Sequence, residues 1–280
     1  MYTVVKRLPL AEAIVLLEIH APDVARKAQA GQFIIVRQEE NSERVPFTIM
    51  DYDRQKGTVT IVVQAIGYSS TLVTQLQEGD VLQDFVGPLG QPTEIKNYGT
   101  VLCVGGGVGI APIHPIARSL KEAGNKVISI LAAKNKELVI LQKELEAVSD
   151  EVLITTDDGS AGLKGFATHG VQALLDRGVH VDVIWAIGPT IMMKSVVDFT
   201  RPLGIKTIVS MNPIMVDGTG MCGSCRVSVD GKTRFACVHG PEFDGHQIDF
   251  NLAMKRAAYY RPEEAIALNK LKCQCQKEGD

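Results

Sequence analysis

The sequence predicts a mixed fold, in which a small antiparallel β-barrel precedes an α/β domain with a doubly wound parallel sheet and a C-terminal cysteine-bearing segment. Three observations support this prediction. Residues 1–96 alternate short β-rich runs with turns, residues 97–211 alternate buried strands with helical stretches, and residues 212–250 are rich in glycine and cysteine. A chain of 280 residues is long enough for two domains with their own cores.

The barrel prediction rests on four strand-like runs between residues 1 and 96. They are "IVLLEIHAP", "GQFIIVRQ", "TVTIVVQAI" and "DVLQDFVGP". Gly, Pro and Asp residues divide these runs at regular spacing, which is typical of a small antiparallel barrel.

The α/β prediction rests on a change of rhythm near Thr100. Apolar runs of strand length then alternate with stretches of helix length. The strand-like runs are "TVLCV", "KVISILAA", "EVLITT", "VDVIWAIG" and "IKTIVSM", and the helical ones include "APIHPIARSLKEAG" and "KELVILQKELEAVS". This alternation predicts a parallel sheet with helices on both faces. Residues 251–280 are expected to form a C-terminal helix and tail.

The composition argues against several classes of protein. Hydrophobic residues make up 45%, charged residues 22%, and the net charge is -3, so neither disorder nor a basic surface for nucleic acid is indicated. No apolar run reaches the roughly 18 residues of a membrane helix, and the N-terminus lacks the pattern of a secretory signal. We therefore expect a cytoplasmic protein that binds neither nucleic acid nor membrane.

A glycine loop in "VLCVGGGVGIAP" joins the first predicted parallel strand to a helix. Its residues are Gly105, Gly106, Gly107, Val108 and Gly109. Without Cβ atoms, the glycines let the backbone approach a diphosphate at the helix N-terminus, which favours a nucleotide site. The spacing is not the GxGxxG fingerprint, because Ile110 stands where its third glycine would be. The alternative is a tight turn without a ligand.

Two later loops lie at carboxyl ends of strands in the same sheet, where open α/β folds bind ligands. In "TTDDGSAGLKG", Asp157 or Asp158 could accept hydrogen bonds from a ribose or a carboxamide. In "AIGPTIMM", Gly188 and Pro189 could form a floor beneath a nicotinamide. Ordinary turn chemistry is the alternative for each acid.

The choice between NAD and NADP stays open on residue chemistry. The run "LAAKNK" ends the second parallel strand without an acid for a ribose 2′-hydroxyl. Lys134 and Lys136 could instead tolerate a 2′-phosphate.

The stretch "SERVPFTIMD" indicates a flavin site in the barrel. Arg44 could pair with a phosphate, Pro46 fixes the backbone beside Phe47, and the Thr48 hydroxyl could bond to an isoalloxazine edge. Taken alone, the stretch also fits an ordinary edge strand. The nucleotide domain that follows the barrel favours the flavin.

Three cysteines near the C-terminus follow the spacing C-x2-C-x11-C, as Cys222, Cys225 and Cys237. Thiolates suit zinc or an iron-sulfur cluster. A structural zinc needs four ligands, often as two C-x2-C pairs, and only one pair is present. Glycines at 218, 220 and 223 favour a cluster, because their N–H groups can point at sulfur.

The fourth ligand is predicted to be Asp217. The candidates are Asp217, Asp230, His239 and Asp244. Asp217 gives D-x4-C-x2-C, the opening of plant-type ferredoxins with its first cysteine replaced. Of the remaining cysteines, Cys103 is expected in the core. Cys273 and Cys275 are expected to be solvated thiols without a metal.

The order of these motifs, together with "GYSSTL" and "GPLG", resembles the ferredoxin-NADP reductase superfamily over essentially the entire chain. The resemblance implies FAD in the barrel and a nicotinamide nucleotide in the second domain. The residues that would hold FAD are Arg44, Pro46, Phe47, Thr48, Val62, Val63, Gln64, Ser69, Ser70 and Thr71. Hydride exchange at flavin N5 needs no acid–base side chain, so none is assigned.

The strings "NPIMVDGTGMCGSCRV" and "RFACVHGPEFDGH" resemble the small subunits of electron-bifurcating NADH-dependent reduced ferredoxin:NADP+ oxidoreductases. That family implies a 2Fe-2S cluster held by Asp217 and the three cysteines, and NAD(H) as the nucleotide. It also implies a heteromer with a larger flavin and iron-sulfur subunit that handles NADPH and ferredoxin.

Other functions remain possible on the sequence. The chain could be the electron-transfer subunit of a dihydroorotate dehydrogenase or a sulfur reductase. The dihydroorotate dehydrogenase subunits resemble it but carry four cysteines, so the chain departs from them at Asp217. It could also be a docking subunit that has lost catalysis.

Overall fold

The computed structural model describes residues 1–277, with side chains described up to Leu271. The first 96 residues form the predicted antiparallel barrel, with two helices. Its strands are β1 (Tyr2–Ala11), β2 (Ile14–His20), β3 (Phe33–Arg37), β4 (Val45–Thr48), β5 (Asp51–Asp53), β6 (Thr58–Gln64), β7 (Val81–Leu82) and β8 (Asp84–Leu89). The helices are α1 (Pro22–Lys27) and α2 (Tyr68–Gln75).

The barrel is built from two antiparallel sheets, ordered β5-β6-β2-β1-β7 and β4-β3-β8. Strand β4, which carries most of "RVPFT", lies at an edge. Because an edge strand has one row of unpaired backbone groups, β4 can offer them to a ligand.

The second region forms the predicted parallel sheet with helices. Its strands are β9 (Thr100–Gly106), β10 (Lys126–Ala133), β11 (Glu151–Thr156), β12 (Leu163–Lys164), β13 (Val183–Ile187) and β14 (Lys206–Ser210). Its helices are α3 (Ile110–Glu122), α4 (Gln142–Val148), α5 (Ala167–Asp176) and α6 (Thr190–Thr200). Helix α4 begins later than "KELVILQKELEAVS" predicts, because Leu141 adopts φ +55°.

The C-terminal segment contributes a hairpin, three helices and an edge strand. These elements are β15 (Arg226–Val229), β16 (Lys232–Phe235), α7 (Ala236–His239), β17 (Glu242–Asp244), α8 (Phe250–Ala257) and α9 (Arg261–Lys277). Strand β17 pairs antiparallel with β14 and completes a seven-stranded sheet, β12-β11-β10-β9-β13-β14-β17. The helical prediction for the C-terminus is thus confirmed. The side chains of Cys273 and Cys275 lie outside the described residues.

The strand order places a topological switch point between β9 and β13. From β9 the chain builds outward through β10 and β11, and then returns to add β13 and β14 on the other side. Open α/β sheets bind ligands in the crevice at such a point. The glycine loop and the Gly188–Pro189 loop both begin there.

The barrel and the parallel sheet share one core. Ile14, Met50 and Val62 of the barrel pack into the cluster of buried side chains beneath α3, and Cys103 is fully buried in the same cluster, as predicted. An ion pair of 2.7 Å between Arg118 Nη1 and Asp51 Oδ1 also joins α3 to β5. Among the described residues, none of the helices has the length and apolarity to span a lipid bilayer.

Candidate functional site

The glycine loop is a tight connection whose shape excludes side chains. A Cβ on Gly105 would lie 2.7 Å from Ile110 Cα, and one on Gly109 would overlap the carbonyl oxygen of Ile187. Gly107 differs, because it has φ +56° and open space where its Cβ would be. Its backbone is therefore available to a ligand at the start of α3, the place expected for a diphosphate.

The loop at 187–189 packs directly against the glycine loop. A Cβ on Gly188 would lie 2.9 Å from the carbonyl oxygen of Gly106 and 2.6 Å from Met192 Cε. Pro189 precedes the first turn of α6. The structure thus brings Gly106, Gly109, Gly188 and Pro189 together at the switch point, as a nucleotide site requires.

The two acids of "TTDDG" differ in the structure. Asp158 is used locally, because its Oδ1 accepts hydrogen bonds from Ser160 N (2.9 Å) and Ser160 Oγ (2.6 Å). The hydroxyl and backbone N–H of Ser160 hold the pKa of the Asp158 carboxyl below its ordinary value. Asp157 is exposed beside the strand end. Of the two, Asp157 is the acid that can meet a ribose.

The lysine loop after β10 lies against the same turn. Lys136 N donates to Ser160 Oγ at 2.8 Å, and Asp158 N donates to the carbonyl of Lys134 at 3.3 Å. The loops that carry Lys134 and Asp157 are therefore adjacent, and both side chains are exposed. The lysine would attract a 2′-phosphate and the acid would repel it.

The predicted flavin strand is half-buried along its length. All four residues of β4 are of intermediate exposure, and Pro46 pairs with Ile35 of β3. A strand that is neither solvated nor covered fits a surface that a flavin ring would cover. In the predicted strand β6, Val63 is fully buried and Val62 is 7% exposed, so contacts from these two residues would come largely from their backbone.

The hydroxyls of Ser69, Ser70 and Thr71 already have protein partners. The prediction of a loop there is wrong, because the residues form the first turn of α2. Ser70 Oγ accepts from Gly67 N at 2.9 Å, Thr71 Oγ1 donates to Gly67 O at 2.7 Å, and Ser69 donates to Glu43. Capping competes with ligand binding for Ser70 and Thr71, so a diphosphate here would be met by free N–H groups of the helix.

Arg44 joins the barrel to the cysteine segment. Its Nε donates to the carbonyl oxygen of Val216 at 2.8 Å, and its Nη1 lies 3.5 Å from Asp84 Oδ2. Val216 directly precedes Asp217. The residue predicted to bind a flavin phosphate therefore also contacts the loop that carries the predicted cluster ligands.

The four predicted cluster ligands form two pairs. Cys222 Sγ lies 3.0 Å from Asp217 Oδ1, and Cys225 Sγ lies 3.2 Å from Cys237 Sγ. All three thiols are free. Two ligands on each of two irons is the pattern of a 2Fe-2S cluster. Within the described residues, no three His, Cys, Asp or Glu side chains converge where they could hold a single metal ion.

Asp217 is held with one carboxylate oxygen directed at the pair. Its Oδ2 accepts from Thr219 Oγ1 (2.8 Å) and Met221 N (2.9 Å), which leaves Oδ1 facing Cys222. Hydrogen bonding from the Cys222 thiol holds the pKa of the Asp217 carboxyl well below its ordinary value. The acid is thus ionised and fixed, as a ligand must be.

The second pair, Cys225 and Cys237, is more deeply buried than the first. Cys225 and Cys237 are 1% and 2% exposed. Burial raises the pKa of the Cys237 thiol to about 12, and the hydrogen bond from Cys225 adds to the rise. The backbone N–H of Gly220 acts on Cys237 in the opposite direction, which agrees with the expectation that loop N–H groups point at sulfur.

Two of the three rival fourth ligands have other hydrogen-bond partners, and the third lies in a tight turn. His239 Nδ1 accepts from Phe235 N at 3.0 Å, and Asp244 Oδ1 accepts from His246 N at 2.9 Å. Asp230 occupies a turn with φ +49° between β15 and β16. The geometry therefore supports Asp217 among the four candidates.

The cysteine loop packs onto the barrel. A Cβ on Gly218, which has φ +79°, would lie 2.6 Å from Ile35 Cδ1 and 2.7 Å from Leu89 Cδ1. Ile35, Cys225 and Cys237 belong to one buried cluster. The flavin strand β4 therefore pairs with β3, and the predicted cluster site packs against the same strand.

A cavity of about 300 Å³ opens beside Cys222. It lies between the cysteine loop, the N-terminus of α6 and α8. Its charged and aromatic lining consists of Arg226, Arg256, Tyr259 and Tyr260. These residues were missed in the sequence, because the two arginines and the two tyrosines come from separate elements with no motif of their own.

Comparison with known proteins supports this reading of the C-terminal segment. Residues 212–249 match the family model described as the iron-sulfur cluster binding domain of dihydroorotate dehydrogenase B. That range contains the four predicted ligands.

Two solved structures resemble this chain over most of its length. An NADH-dependent reduced ferredoxin-NADP oxidoreductase, studied for flavin-based electron bifurcation, is 46% identical with a TM-score of 0.92, covering 97% of this chain and 98% of that one. Phthalate dioxygenase reductase is 18% identical with a TM-score of 0.57, covering 81% of this chain and 85% of that one. The second likeness shows the fold alone.

Two curated relatives show the family. The dihydroorotate dehydrogenase B (NAD(+)) electron transfer subunit homolog of Thermotoga maritima is 48% identical, with 94% of this chain and 93% of that protein covered. The electron transfer subunit of Geobacillus thermodenitrificans is 31% identical, with 88% and 96% covered. The chain therefore belongs to the family of dihydroorotate dehydrogenase B electron transfer subunits and their homologues.

Proposed function

We propose that the chain is the small subunit of an electron-bifurcating NADH-dependent reduced ferredoxin:NADP+ oxidoreductase. In this role it is a flavin and iron-sulfur oxidoreductase that uses NAD(H), FAD and a 2Fe-2S cluster. The likeness at 46% identity over nearly the whole length supports it. The larger partner subunit would handle NADPH and ferredoxin.

The observation that carries the proposal is the contact between the flavin strand and the cluster loop. Arg44 Nε donates to Val216 O at 2.8 Å, one residue before Asp217. Gly218 packs against Ile35, the partner of Pro46 in the barrel sheet. A flavin on β4 and a cluster at Asp217 would thus both be held beside β3. Electron transfer needs such fixed proximity.

When bound, the three groups together interconvert two-electron hydride transfer and one-electron transfer, because the flavin can do both. The residues of the chain supply position and electrostatics. Asp217 and Cys222 would hold one iron, and Cys225 and Cys237 the other. Arg44 would pair with a flavin phosphate, and Thr48 would bond to the ring edge.

The nucleotide site would lie at the switch point between β9 and β13. Gly107 would let the diphosphate approach the start of α3, and Gly188 with Pro189 would lie beneath the nicotinamide. The exposed carboxylate of Asp157 favours a ribose 2′-hydroxyl over a 2′-phosphate, which supports NAD(H) as the nucleotide despite Lys134.

The partner would dock beside the cluster loop. Val216, Met221 and Ile214 are 47%, 87% and 37% exposed there. Apolar side chains of this size on a surface indicate a protein interface. A cytoplasmic complex agrees with the free thiols of the described cysteines, since the cytosol keeps thiols reduced.

A second candidate is the electron-transfer subunit of a dihydroorotate dehydrogenase. The names of the curated relatives favour it. Asp217 in the predicted ligand set counts against it, because the dihydroorotate dehydrogenase subunits that the chain resembles carry four cysteines at these positions. The partner subunit that copurifies with the chain distinguishes the two.

The chain purified without oxygen and treated with NADH tests the proposal by low-temperature electron paramagnetic resonance. We expect the signal of a reduced 2Fe-2S cluster. If dithionite gives that signal and NADH does not, the cluster is present and NADH is the wrong donor or too weak a reductant, so NADPH and the partner subunit are tested next. A chain that gives no signal even with dithionite would overturn the proposal.

The ligand set is tested by iron content. We expect Asp217→Asn to lose most of the two irons, because a neutral amide is a poor ligand for iron. Asp230→Asn, the same change in the same segment, should keep them. Full iron in Asp217→Asn would mean that another residue, such as His239, is the ligand.

A further inference from the structure

The hydroxyl of Ser224 lies against the exposed thiol of the predicted cluster site. Its Oγ is 3.2 Å from Cys222 Sγ, within the turn that links Cys222 to Cys225. We propose that Ser224 is a positioning residue that raises the reduction potential of the 2Fe-2S cluster by donating a hydrogen bond to the Cys222 sulfur. This inference rests on the proposed function, because it requires Cys222 to be an iron ligand.

The direction of the hydrogen bond follows from the chemistry of the ligand. In the metal-free protein either group could donate, and the Cys222 thiol lies 3.0 Å from Asp217 Oδ1. A cysteine that binds iron is a thiolate and has no proton to give. The hydroxyl of Ser224 must then be the donor and the Cys222 sulfur the acceptor.

Surrounding contacts hold the backbone of Ser224 in place. Arg256 Nη2, from α8, donates to the carbonyl oxygen of Ser224 at 3.2 Å. The guanidinium of Arg226 lies 3.4 Å from where a Cβ of Gly223 would be, so the turn is covered on that side. Ser224 itself is half-buried at the wall of the cavity. The backbone that carries the hydroxyl is therefore fixed beside Cys222.

Such a bond acts on the reduction potential because its strength differs between the oxidised and the reduced cluster. It is stronger when the acceptor sulfur carries more negative charge. Reduction by one electron would add one negative charge to a cluster held by these ligands, while the proton of Ser224 would stay on its oxygen. A donor at a ligand sulfur stabilises the extra charge, and hydrogen bonds to sulfur are among the factors that set cluster potentials. The carboxylate of Asp217 is already held by Thr219 and Met221 N, so Ser224 supplies the matching donor at the other ligand of that pair.

The test is a redox titration of the anaerobically purified chain, with dithionite and mediators, followed by electron paramagnetic resonance. We expect Ser224→Ala to disfavour the reduced cluster by about three- to tenfold, the net strength of one hydrogen bond. At 59 mV per tenfold for one electron, this lowers the midpoint by about 30 to 60 mV. Ser224→Thr keeps the hydroxyl and should restore the wild-type midpoint. Ser228→Ala, the same change on β15, should leave it unchanged.

The outcomes separate this inference from the proposed function. A wild-type chain without two irons would refute the function itself. Two irons and an unchanged midpoint in Ser224→Ala would overturn only the role of Ser224. An equal shift in Ser228→Ala would also overturn it, since the effect would then not come from the hydrogen bond. Loss of iron from Ser224→Ala, but not from Ser228→Ala, would show that the hydroxyl holds the cluster rather than sets its potential.

Discussion

Two glycine-rich loops carry the predicted cofactor sites, and they use glycine for different reasons. In residues 105–109, Gly105 and Gly109 have no room for a side chain, because backbone atoms of Ile110 and Ile187 occupy the space. In residues 217–225, the glycines at 218, 220 and 223 all adopt positive φ, at +79°, +88° and +68°. The first loop is constrained by packing and the second mainly by backbone conformation.

The difference predicts how each site fails. The nucleotide loop lies at the centre of the parallel sheet, so a change that displaces it also displaces β9, α3 and β13. The cluster loop lies at the surface, and Cys222 and Met221 are exposed. Damage there should remove the cluster while the barrel and the sheet stay folded.

Gly109→Ala should give the largest effect. The new methyl group would overlap the carbonyl oxygen of Ile187 and lie 2.7 Å from Gly188 Cα, both of them backbone atoms that cannot rotate away. Overpacking of this kind costs about 3 kcal/mol or more when the backbone must shift. We expect a large drop in the free energy of unfolding, measured by urea denaturation, and loss of NADH binding.

Gly107→Ala is the matched control for the same loop. Its Cβ would meet no atom within 4 Å, but its φ of +56° disfavours alanine. The expected loss is about 1–2 kcal/mol. If Gly107→Ala proves as destabilising as Gly109→Ala, packing does not control this loop and the contrast between the loops is lost.

Gly218→Ala should have a smaller effect on stability and a larger one on the cluster. Its φ of +79° costs about 1–2 kcal/mol for alanine, and the contacts at 2.6 and 2.7 Å are with the ends of Ile35 and Leu89, which can move. We expect lower iron content per chain, with a melting temperature lowered by only a few degrees. Gly223→Ala has a similar φ but its nearest atom is 3.4 Å away, so it should keep more iron.

A reversed result for this pair would be informative. If Gly218→Ala unfolds the chain as Gly109→Ala does, the cluster loop is part of the barrel core. The two regions would then fail together, and the distinction between packing and conformation would not separate fold from site.

The sequence predicts the architecture well because the main signals are local. Strand-length apolar runs and the glycine loop lie where the structure places β9 to β14 and the switch point. The pairing of Asp217 with Cys222 also follows from short spacing. Local geometry brings these residues together whatever the rest of the chain does.

Long-range contacts could not be predicted from the sequence. Arg44 contacts Val216, which is 172 residues away in the chain, and Gly218 packs on Ile35. The first turn of α2 was also missed, because "GYSST" has the composition of a loop until Ser70 caps the helix. The contacts of Arg44 and Gly218 come from packing of distant elements, whereas the cap of α2 is local and its residues have the composition of a loop.

Glu242 is the clearest residue of this kind, and it joins the two compared regions. Its carboxylate accepts a hydrogen bond from Thr93 Oγ1 at 2.7 Å and from Trp185 Nε1 at 3.0 Å, partners 149 and 57 residues away. Trp185 lies on β13, which leads to the Gly188–Pro189 loop. Glu242 lies on β17, after the loop that carries the predicted cluster ligands. Burial raises the pKa of the Glu242 carboxyl above its ordinary value.

The smallest predicted effect is a pH dependence at this junction. Because the pKa of Glu242 is raised in the folded protein, protonation favours folding, and this stabilisation is lost as pH rises through the folded pKa. Burial raises the pKa of nearby Tyr98 to about 12 and also raises that of Cys103, so neither of these two groups ionises near neutral pH. Glu242→Gln keeps a neutral group at all pH values. Wild type should therefore lose stability relative to Glu242→Gln as pH rises.

The difference in melting temperature should be a few degrees at most, since about 1 kcal/mol shifts Tm by roughly 2–4 °C in a chain of this size. Trp185 is the one tryptophan of the chain, so its fluorescence reports on the junction directly. Its emission should shift over the same pH range in wild type and stay constant in Glu242→Gln. A wild-type Tm that rises with pH relative to Glu242→Gln would mean that the carboxylate, held by Thr93 and Trp185, stabilises the fold when charged. The hydrogen bonds would then outweigh burial, and the junction would join the two regions most firmly at high pH.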